Sequence, residues 1–234
     1  MIGIYSFPSS GRTWLKIMLD DLEVDSLIDH GRRAEGIYTP SQQMLCATPF
    51  VYLIRNPYDT FISQYQKSSS KWKYKTHPLV ELARVRLDEF VYGNTRKHKQ
   101  YLSNGKTLDL YVNLFEDILI HHISALKYVV ASDFILLRYE DLIGKNGINE
   151  FHKIVPHVNR SKIEKVWHDN TLEKLVQKSE NKEFFDKYKL EKKFHGGASR
   201  YRDFLTEEHL SHFSKLIDKH DYENKMKELY DVVS

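Results

Sequence analysis

Small and hydroxyl-bearing residues lie near the amino terminus, directly after a short apolar run. The run is residues 2–7, Ile-Gly-Ile-Tyr-Ser-Phe, and residues 9–13 follow it as Ser-Ser-Gly-Arg-Thr. A turn of small residues between a buried strand and a helix directs backbone N–H groups and the positive end of the helix dipole at one point, which favours phosphate. Gly11 permits a close backbone approach, and Arg12 adds positive charge. Further hydroxyl donors are Ser9, Ser10 and Thr13. The segment predicts a phosphate-binding loop, with a plain strand–helix turn capped by a serine as the alternative.

A second pair of polar residues follows the next apolar run. Arg55 comes directly after residues 50–54, and Ser63 lies eight positions later on the helix that Pro57 can begin. Eight residues are a little over two helical turns, so Ser63 shares a face with the start of that helix. An arginine at a strand end and a serine on the next helix can clamp one phosphate, the arginine through its two-pronged guanidinium. The alternatives are a surface ion pair for Arg55 and a solvated helix position for Ser63.

The elements that must position these residues alternate between strand and helix. Apolar runs predict buried strands at residues 2–7, 50–54 and 134–137. Apolar residues at helical spacing predict helices at residues 11–22, from Pro57 onward, and at about 79–92 and 107–130. Residues 23–48 are interpreted as loop with a strand or short helix, residues 68–77 as loop, and the remainder as mainly helices. Such alternation indicates a parallel sheet covered on both faces. The predicted fold class is α/β, a single P-loop-like three-layer domain with a central parallel sheet flanked by helices, over residues 1–234.

This arrangement brings the candidate residues to one edge of the sheet. Ligands of open α/β sheets gather at the carboxyl ends of the strands, where the loop, Arg55 and Tyr139 all lie. The Walker A pattern, which is Gly, four residues, then Gly-Lys-Ser/Thr, does not occur in the loop. Its absence argues against an ATPase or GTPase. The missing Walker lysine also argues against a small-molecule kinase of related fold, which stays an alternative function.

Three motifs resemble those of the sulfotransferases that use 3′-phosphoadenosine 5′-phosphosulfate (PAPS). The segment Pro8-Ser9-Ser10-Gly11-Arg12-Thr13-Trp14 resembles the phosphosulfate loop of that family, Pro-Lys/Arg-Ser-Gly-Thr/Asn-Thr-Trp. The segment Arg55-Asn56-Pro57-Tyr58-Asp59, together with Ser63, matches the family's 3′-phosphate motif. The segment Tyr139-Glu140-Asp141-Leu142 matches the segment whose tyrosine approaches the adenine. The motifs keep the family's order, and the resemblance covers about residues 2–145.

The resemblance implies a role for each matching position. Ser10, Gly11, Arg12 and Thr13 would hold the 5′-phosphosulfate. Arg55 and Ser63 would bind the 3′-phosphate. Trp14 and Tyr139 would lie beside the adenine, with packing in the core or against the sheet edge as the alternative for each.

The chain departs from the family at one loop position. The family carries Lys or Arg directly before the loop serine, where its cation stabilises charge on the bridging oxygen during transfer. Ser9 occupies that position here. We expect the Arg12 guanidinium to supply the missing charge, with Lys16 as the second candidate.

A second departure is near the carboxyl end. The family has Arg-Lys-Gly-x-x-Gly-x-Trp in a lid over the 3′-phosphate, and residues 194–202 resemble it only in outline. Gly196 and Gly197 suggest a flexible loop, and Arg200 or Arg202 is a candidate phosphate contact. The alternative is an ordinary basic turn before a helix that begins near Thr206.

The family's catalytic base is commonly a histidine between the first two motifs, and His30 is the only histidine in that interval. A near-neutral imidazole suits removal of a proton from an acceptor oxygen. Asp29 or the Arg32-Arg33 pair would tune it, and an exposed loop histidine is the alternative. His121-His122 and the other histidines form no metal-ligand pattern, so we expect no metal.

The composition of the chain limits its structural class and its partners but does not indicate a function. The 234 residues are 41% hydrophobic and 29% charged, which is typical of a globular domain. A net charge of +3 is too mild to imply a nucleic-acid partner. Cys46 is the only cysteine, which we expect to be buried, and no signal peptide or membrane span is recognised.

We therefore expect a soluble cytoplasmic sulfotransferase with a small-molecule or glycan acceptor. Its oligomeric state is open, and a non-catalytic 3′-phosphoadenosine-nucleotide-binding protein is a further alternative.

Overall fold

The structure is a computed structural model that describes residues 1–34, 37–72, 87–101, 107–128, 134–188 and 199–233. Within these ranges the chain forms eight strands: β1 Ile2–Tyr5, β2 Ser26–Asp29, β3 Arg32–Ala34, β4 Ile37–Thr39, β5 Phe50–Ile54, β6 Arg96–Tyr101, β7 Thr107–Val112 and β8 Phe134–Arg138. The central sheet has the order β2-β1-β5-β8, and all of its strands are parallel. Two antiparallel pairs, β3 with β4 and β6 with β7, lie outside this sheet.

Twelve α-helices occur in the same described ranges. They are α1 Arg12–Asp21, α2 Gln42–Leu45, α3 Pro57–Trp72, α4 Leu87–Tyr92, α5 Leu114–Ser124, α6 Tyr139–Leu142, α7 Gly147–Ile154, α8 Arg160–Asp169, α9 Leu172–Lys178, α10 Lys182–Tyr188, α11 Glu207–Lys219 and α12 Tyr222–Val233. Short 3-10 helices cover Ala125–Tyr128 and Arg200–Asp203.

The predicted three layers are confirmed by the burial of β5. Successive strand residues point to opposite faces of a sheet. Val51 and Leu53 pack in a core that α1, α7 and α8 complete, whereas Tyr52 and Ile54 pack in a core with α12. Because both faces are covered, every residue of β1 and β5 is buried, which explains their continuous apolar sequences.

Several element predictions are confirmed and others are wrong. The three predicted strands form, although β1 ends at Tyr5, and β2 supplies a fourth within the segment read mainly as loop. The predicted helix over 107–130 is wrong at its start, because 107–112 alternates in polarity and pairs with β6 as strand β7. Helix α5 then begins at Leu114, where the Asn113 side chain caps it.

The remaining differences concern segment ends and one side chain. Residues 68–72, predicted as loop, continue α3, because elongation of a formed helix adds a hydrogen bond with each residue. Residues 73–77 of that predicted loop and 79–86 of the next predicted helix lie outside the described residues, while 87–92 form α4. Cys46, expected to be buried, is exposed, because it follows the short surface helix α2.

No helix among the described residues combines the length and apolar character that a membrane crossing requires. That residues 1–234 form one domain, and that the protein is cytoplasmic, stay predictions.

Candidate functional site

The predicted phosphate loop connects β1 to α1, and its backbone takes an unusual path. Ser9 has φ 72° and Gly11 has φ 93°, both in the left-handed region that favours glycine. A Cβ atom on Gly11 would lie 2.4 Å from Cδ2 of Tyr139. Glycine is therefore required for two reasons, the backbone conformation and the close packing of the tyrosine ring on the loop.

The loop is tied to the next strand–helix unit through Ser9. The Arg55 guanidinium donates a hydrogen bond of 3.1 Å to the Ser9 carbonyl, and Gln64 Nε2 donates one of 2.9 Å to Ser9 Oγ. The neighbouring Ser10 hydroxyl is buried and has no hydrogen-bond partner among the described residues. An unsatisfied buried hydroxyl costs about 1–3 kcal/mol. A ligand oxygen in the loop would remove that cost.

Arg55, Ser63 and Tyr139 were predicted to share one edge of the sheet, and Arg55 and Tyr139 are in contact. Arg55 is only 6% exposed, and its Cζ lies 4.7 Å from the centre of the Tyr139 ring. Ser63 is half-buried on α3, two turns from the helix start. Glu140 Oε1 accepts a 2.8 Å hydrogen bond from the backbone N–H of Asn56, which joins the ends of β5 and β8. The 3′-phosphate and adenine candidates therefore border the loop.

Trp14 lies on the first turn of α1 and contacts two other aromatic rings. Its ring meets Tyr139 edge-on at 6.1 Å and Trp167 edge-on at 5.1 Å. Its indole N–H donates a 2.8 Å hydrogen bond to the carbonyl of Asn170. The ring thus borders the predicted adenine position and also packs against the core, so both interpretations of Trp14 describe part of its surroundings.

Arg12 and His30 meet at the carboxyl ends of β1 and β2. The guanidinium of Arg12 hydrogen-bonds to Nδ1 of His30. Loss of hydration around the ring, followed by the charges of Arg12 and Arg96, lowers the pKa of His30 to about 4, while Asp29 acts in the opposite direction. The imidazole is therefore neutral near pH 7, and its Nδ1 lone pair faces Arg12. Loss of hydration also lowers the pKa of Arg12, and Arg96 acts in the same direction.

Lys16, the second candidate for the loop cation, is directed elsewhere. Its Nζ lies 2.7 Å from Asp20 Oδ1 and 3.5 Å from Ser26 Oγ. Ser26 is the first residue of β2, so the ammonium group lies toward the edge of the sheet opposite to the loop. The structure brings Arg12, and not Lys16, to His30.

The carboxyl-terminal basic segment lies against the start of α3. Asp59 accepts hydrogen bonds from the backbone N–H groups of Ser199 at 2.7 Å and Tyr201 at 3.1 Å, and the Tyr201 ring stacks on Tyr58 at 4.9 Å. These contacts hold the 3-10 helix Arg200–Asp203, which includes Arg200 and Arg202, beside the helix that carries Ser63. Gly196 and Gly197 lie outside the described residues. The predicted helix start is confirmed, since Thr206 caps α11.

Sequence reasoning missed a polar cluster beside His30, centred on Asp117 of α5. Asp117 is fully buried, and its Oδ1 accepts a 2.6 Å hydrogen bond from Arg33. Its Oδ2 accepts one of 2.7 Å from the Tyr38 hydroxyl and one of 2.9 Å from His98 Nε2. Asp29 or the Arg32-Arg33 pair was expected to tune His30. Asp29 does act on the pKa of His30, whereas Arg33 is bound to the Asp117 carboxylate. The available signal was a carboxylate in a mostly apolar helix, because such groups are rarely buried unpaired.

Arg96 completes this cluster from β6. Its Nε lies 3.6 Å from Asp117 Oδ2, and its Cζ lies 5.5 Å from the centre of the Phe7 ring, just before the loop. The basic run at residues 96–99 is visible in the sequence, but nothing there shows that it reaches the loop. Among the described residues, no group of three or more side chains is placed to hold a metal ion.

Comparison with known proteins identifies a shared fold. No family model matches the chain, and no curated protein does. Among solved structures, the chain is similar to retinol dehydratase in complex with androsterone and the inactive cofactor PAP, with a TM-score of 0.61 and 14% sequence identity. The match covers 94% of this chain and 80% of that one. The four parallel strands and their flanking helices thus form a sulfotransferase-like fold.

Proposed function

We propose that this chain is a sulfotransferase that moves a sulfuryl group from PAPS to a hydroxyl of its acceptor, with an amine as the second choice. The observation that carries the proposal is the meeting of the loop, Arg55 and Tyr139 at one edge of a sulfotransferase-like fold. The PAP bound to the similar solved structure supports a donor of the same class.

Each part of the proposed donor site has candidates among the described residues. The loop N–H groups and the buried Ser10 hydroxyl would hold the 5′-phosphosulfate. Arg55 and Ser63 would hold the 3′-phosphate, with Arg200 or Arg202 beside them, since Asp59 anchors their segment to the same helix. The adenine would lie at Tyr139 and Trp14, whose rings meet edge-on.

The chemistry follows from the contact between Arg12 and His30. In the transfer, the acceptor oxygen forms a bond to sulfur as the bond from sulfur to the bridging oxygen breaks. The acceptor proton passes to His30, and negative charge develops on the 5′-phosphate, where Arg12 stabilises it. Because Nδ1 of His30 accepts the Arg12 hydrogen bond, the base becomes available only when Arg12 turns toward the donor. Donor binding thus precedes proton removal in the proposed sequence.

Calorimetric titration with adenosine 3′,5′-bisphosphate and with Mg-ATP tests the donor class. We expect the bisphosphate to bind and ATP to bind weakly or not at all, because the loop lacks the Walker lysine. Tight ATP binding without bisphosphate binding would refute the proposal in favour of a small-molecule kinase.

A non-catalytic nucleotide-binding protein is the second candidate, and Ser9 at the position of the family's loop cation favours it. Labelled PAPS offered with a panel of hydroxyl and amine acceptors separates the two. Transfer of label to an acceptor establishes the enzyme. Bisphosphate binding without transfer to any acceptor in the panel would support the binding protein instead.

A further inference from the structure

Basic side chains lie on the side of the candidate site beyond His30, away from Arg55. Arg12 comes from α1, Arg33 from β3, Arg96 from β6 and His98 from the same strand as Arg96. Arg33, Arg96 and His98 meet at Asp117, whose carboxylate is fully buried. This cluster of Arg33, Arg96, His98 and Asp117 is called the basic cluster below.

The basic cluster holds more positive charge than its carboxylate needs. The two oxygens of Asp117 already accept short hydrogen bonds from Arg33, Tyr38 and His98. Arg96 stands at 3.6 Å from the same carboxylate, beyond hydrogen-bond distance. A purely structural role for Asp117, as a tie between α5 and the β3–β4 pair, is fulfilled without Arg96.

Asp29, the other carboxylate near these cations, is engaged by the backbone. Its Oδ1 accepts the Gly31 N–H at 2.8 Å, and its Oδ2 accepts the Ser41 N–H at 2.7 Å. Asp117 is thus paired with Arg33, whereas Arg12 and Arg96 stand near carboxylates whose hydrogen bonds come from other donors. The Nε atom of Arg96 has no hydrogen-bond partner among the described residues. An incompletely paired and partly exposed guanidinium favours an anionic ligand.

Arg96 is placed to face an acceptor rather than the nucleotide. It lies over Phe7, on the His30 side of the loop, whereas the 3′-phosphate candidates lie on the Arg55 side. Its side chain is 30% exposed, so a ligand can reach it. Its charge also lowers the pKa of His30. An acceptor hydroxyl at His30 would therefore lie on the side of the loop that carries Arg12 and Arg96.

We infer that the acceptor of this chain is an acid: a hydroxyl compound whose carboxylate or sulfate group binds Arg96 while its hydroxyl faces His30. This inference rests on the proposed sulfotransferase function. Phenolic carboxylates and acidic sugars are chemical classes that carry both groups.

Matched pairs of an acid and its neutral amide test the inference. The probes are 4-hydroxybenzoate against 4-hydroxybenzamide, and glucuronic acid against glucuronamide, each offered with labelled PAPS to the full chain. We expect kcat/KM for at least one acid to exceed that of its amide by about tenfold or more, the effect of a charge-assisted hydrogen bond. Equal values for acid and amide in both pairs would overturn the inference.

Variants of strand β6 connect the preference to Arg96. In Arg96→Gln we expect the preference for the acid to fall to about unity through a higher KM, and Arg96→Lys should restore part of it. Lys97→Gln is the matched control, because Lys97 is half-exposed on the same strand and pairs with Asp109 at 2.8 Å. A preference that survives in Arg96→Gln, or that is lost equally in Lys97→Gln, contradicts the assignment.

Binding without turnover separates this inference from the proposed function. The acids are titrated by calorimetry into protein saturated with adenosine 3′,5′-bisphosphate. If an acid binds, and Arg96→Gln removes binding while bisphosphate affinity is unchanged, the anion site stands even where no acceptor is sulfated, and the sulfotransferase proposal alone fails. If no acid binds at millimolar concentration, or if Arg96→Gln also weakens bisphosphate binding, the acceptor-side assignment is wrong.

Discussion

The guanidinium of Arg12 donates a hydrogen bond to Nδ1 of His30, and so joins the first residue of α1 to the residue that follows β2. One side chain thereby contacts the group proposed as base and stands at the loop proposed to bind the donor. The contact has two consequences in the proposed reaction. First, the Nδ1 lone pair of the proposed base is occupied until an anion attracts Arg12 away from it. Second, the only guanidinium of the loop stays close to the proposed reacting atoms.

Replacement of Arg12 tests whether it supplies the charge that Ser9 lacks. In Arg12→Ala we expect kcat for sulfuryl transfer to fall by about 10²–10³-fold, the usual effect of removing one donor to a developing oxyanion. Bisphosphate affinity should also fall, because Arg12 would contact its 5′-phosphate, but the loop backbone and Arg55 should retain part of the binding. Single-turnover rates with labelled PAPS and calorimetry measure the two quantities. If Lys16→Gln causes the larger loss of rate, the roles of the two cations are reversed.

The pKa of His30 provides a second test. NMR titration of the imidazole should give a pKa near 4 in the free protein, below the ordinary value of about 6.5. Because the Arg12 charge lowers this pKa, Arg12→Ala should raise it toward the ordinary value. Bound bisphosphate should raise it as well, since the negative 5′-phosphate stabilises the imidazolium. An unchanged pKa in Arg12→Ala would contradict the contact.

The same shift has a consequence for stability. A histidine whose pKa is lower in the folded protein binds more protons when unfolded, so folding stability falls as pH decreases from about 6.5 toward 4. His30→Gln should reduce this slope. Urea unfolding at pH 7 and pH 5 measures this dependence of stability on pH. The buried His122, whose pKa is lowered to about 3, should account for part of the slope that remains in the variant.

Gly11 tests the packing of the loop against Tyr139. Gly11→Ala forces a side chain into a left-handed backbone and into the tyrosine ring, and the first effect alone costs about 1–2 kcal/mol. We expect lower stability toward urea and bisphosphate binding weakened more than tenfold. The double variant Gly11→Ala/Tyr139→Ala should recover part of the stability, because the clash is removed, but not the affinity. Additive losses of stability in the double variant would show that the two residues do not interact.

Arg55 and Ser63 are tested by comparing nucleotides that differ in one phosphate. Adenosine 3′,5′-bisphosphate and adenosine 5′-monophosphate share every group except the 3′-phosphate. In Arg55→Ala we expect about tenfold or more weaker binding of the bisphosphate with little change for the monophosphate, and a smaller effect of the same kind in Ser63→Ala. Equal losses of affinity for both nucleotides would contradict a contact with the 3′-phosphate. Arg55 would then bind another part of the donor, or only hold the loop through the Ser9 carbonyl.

The sequence determined the sheet, the loop and the edge at which the candidate donor residues meet. Buried parallel strands need continuous apolar residues. The connection from a strand to a helix needs residues whose backbone can adopt unusual conformations. Both requirements are visible in the local sequence, at residues 2–13 and 50–57. Strand β7 also has a local sequence signal, an alternation of polar and apolar residues that the prediction of one helix over 107–130 overlooks.

Only the tertiary structure decided which partners these cations contact. Arg12 and Lys16 are one turn apart on α1, yet the first reaches His30 and the second reaches Asp20 and Ser26 at the opposite edge. Arg96 and Asp117 are distant in sequence from the loop, and no periodicity shows that β6 and α5 come beside it. Long charged side chains take the partners that packing brings within a few ångströms, and packing is a property of the whole fold rather than of any segment.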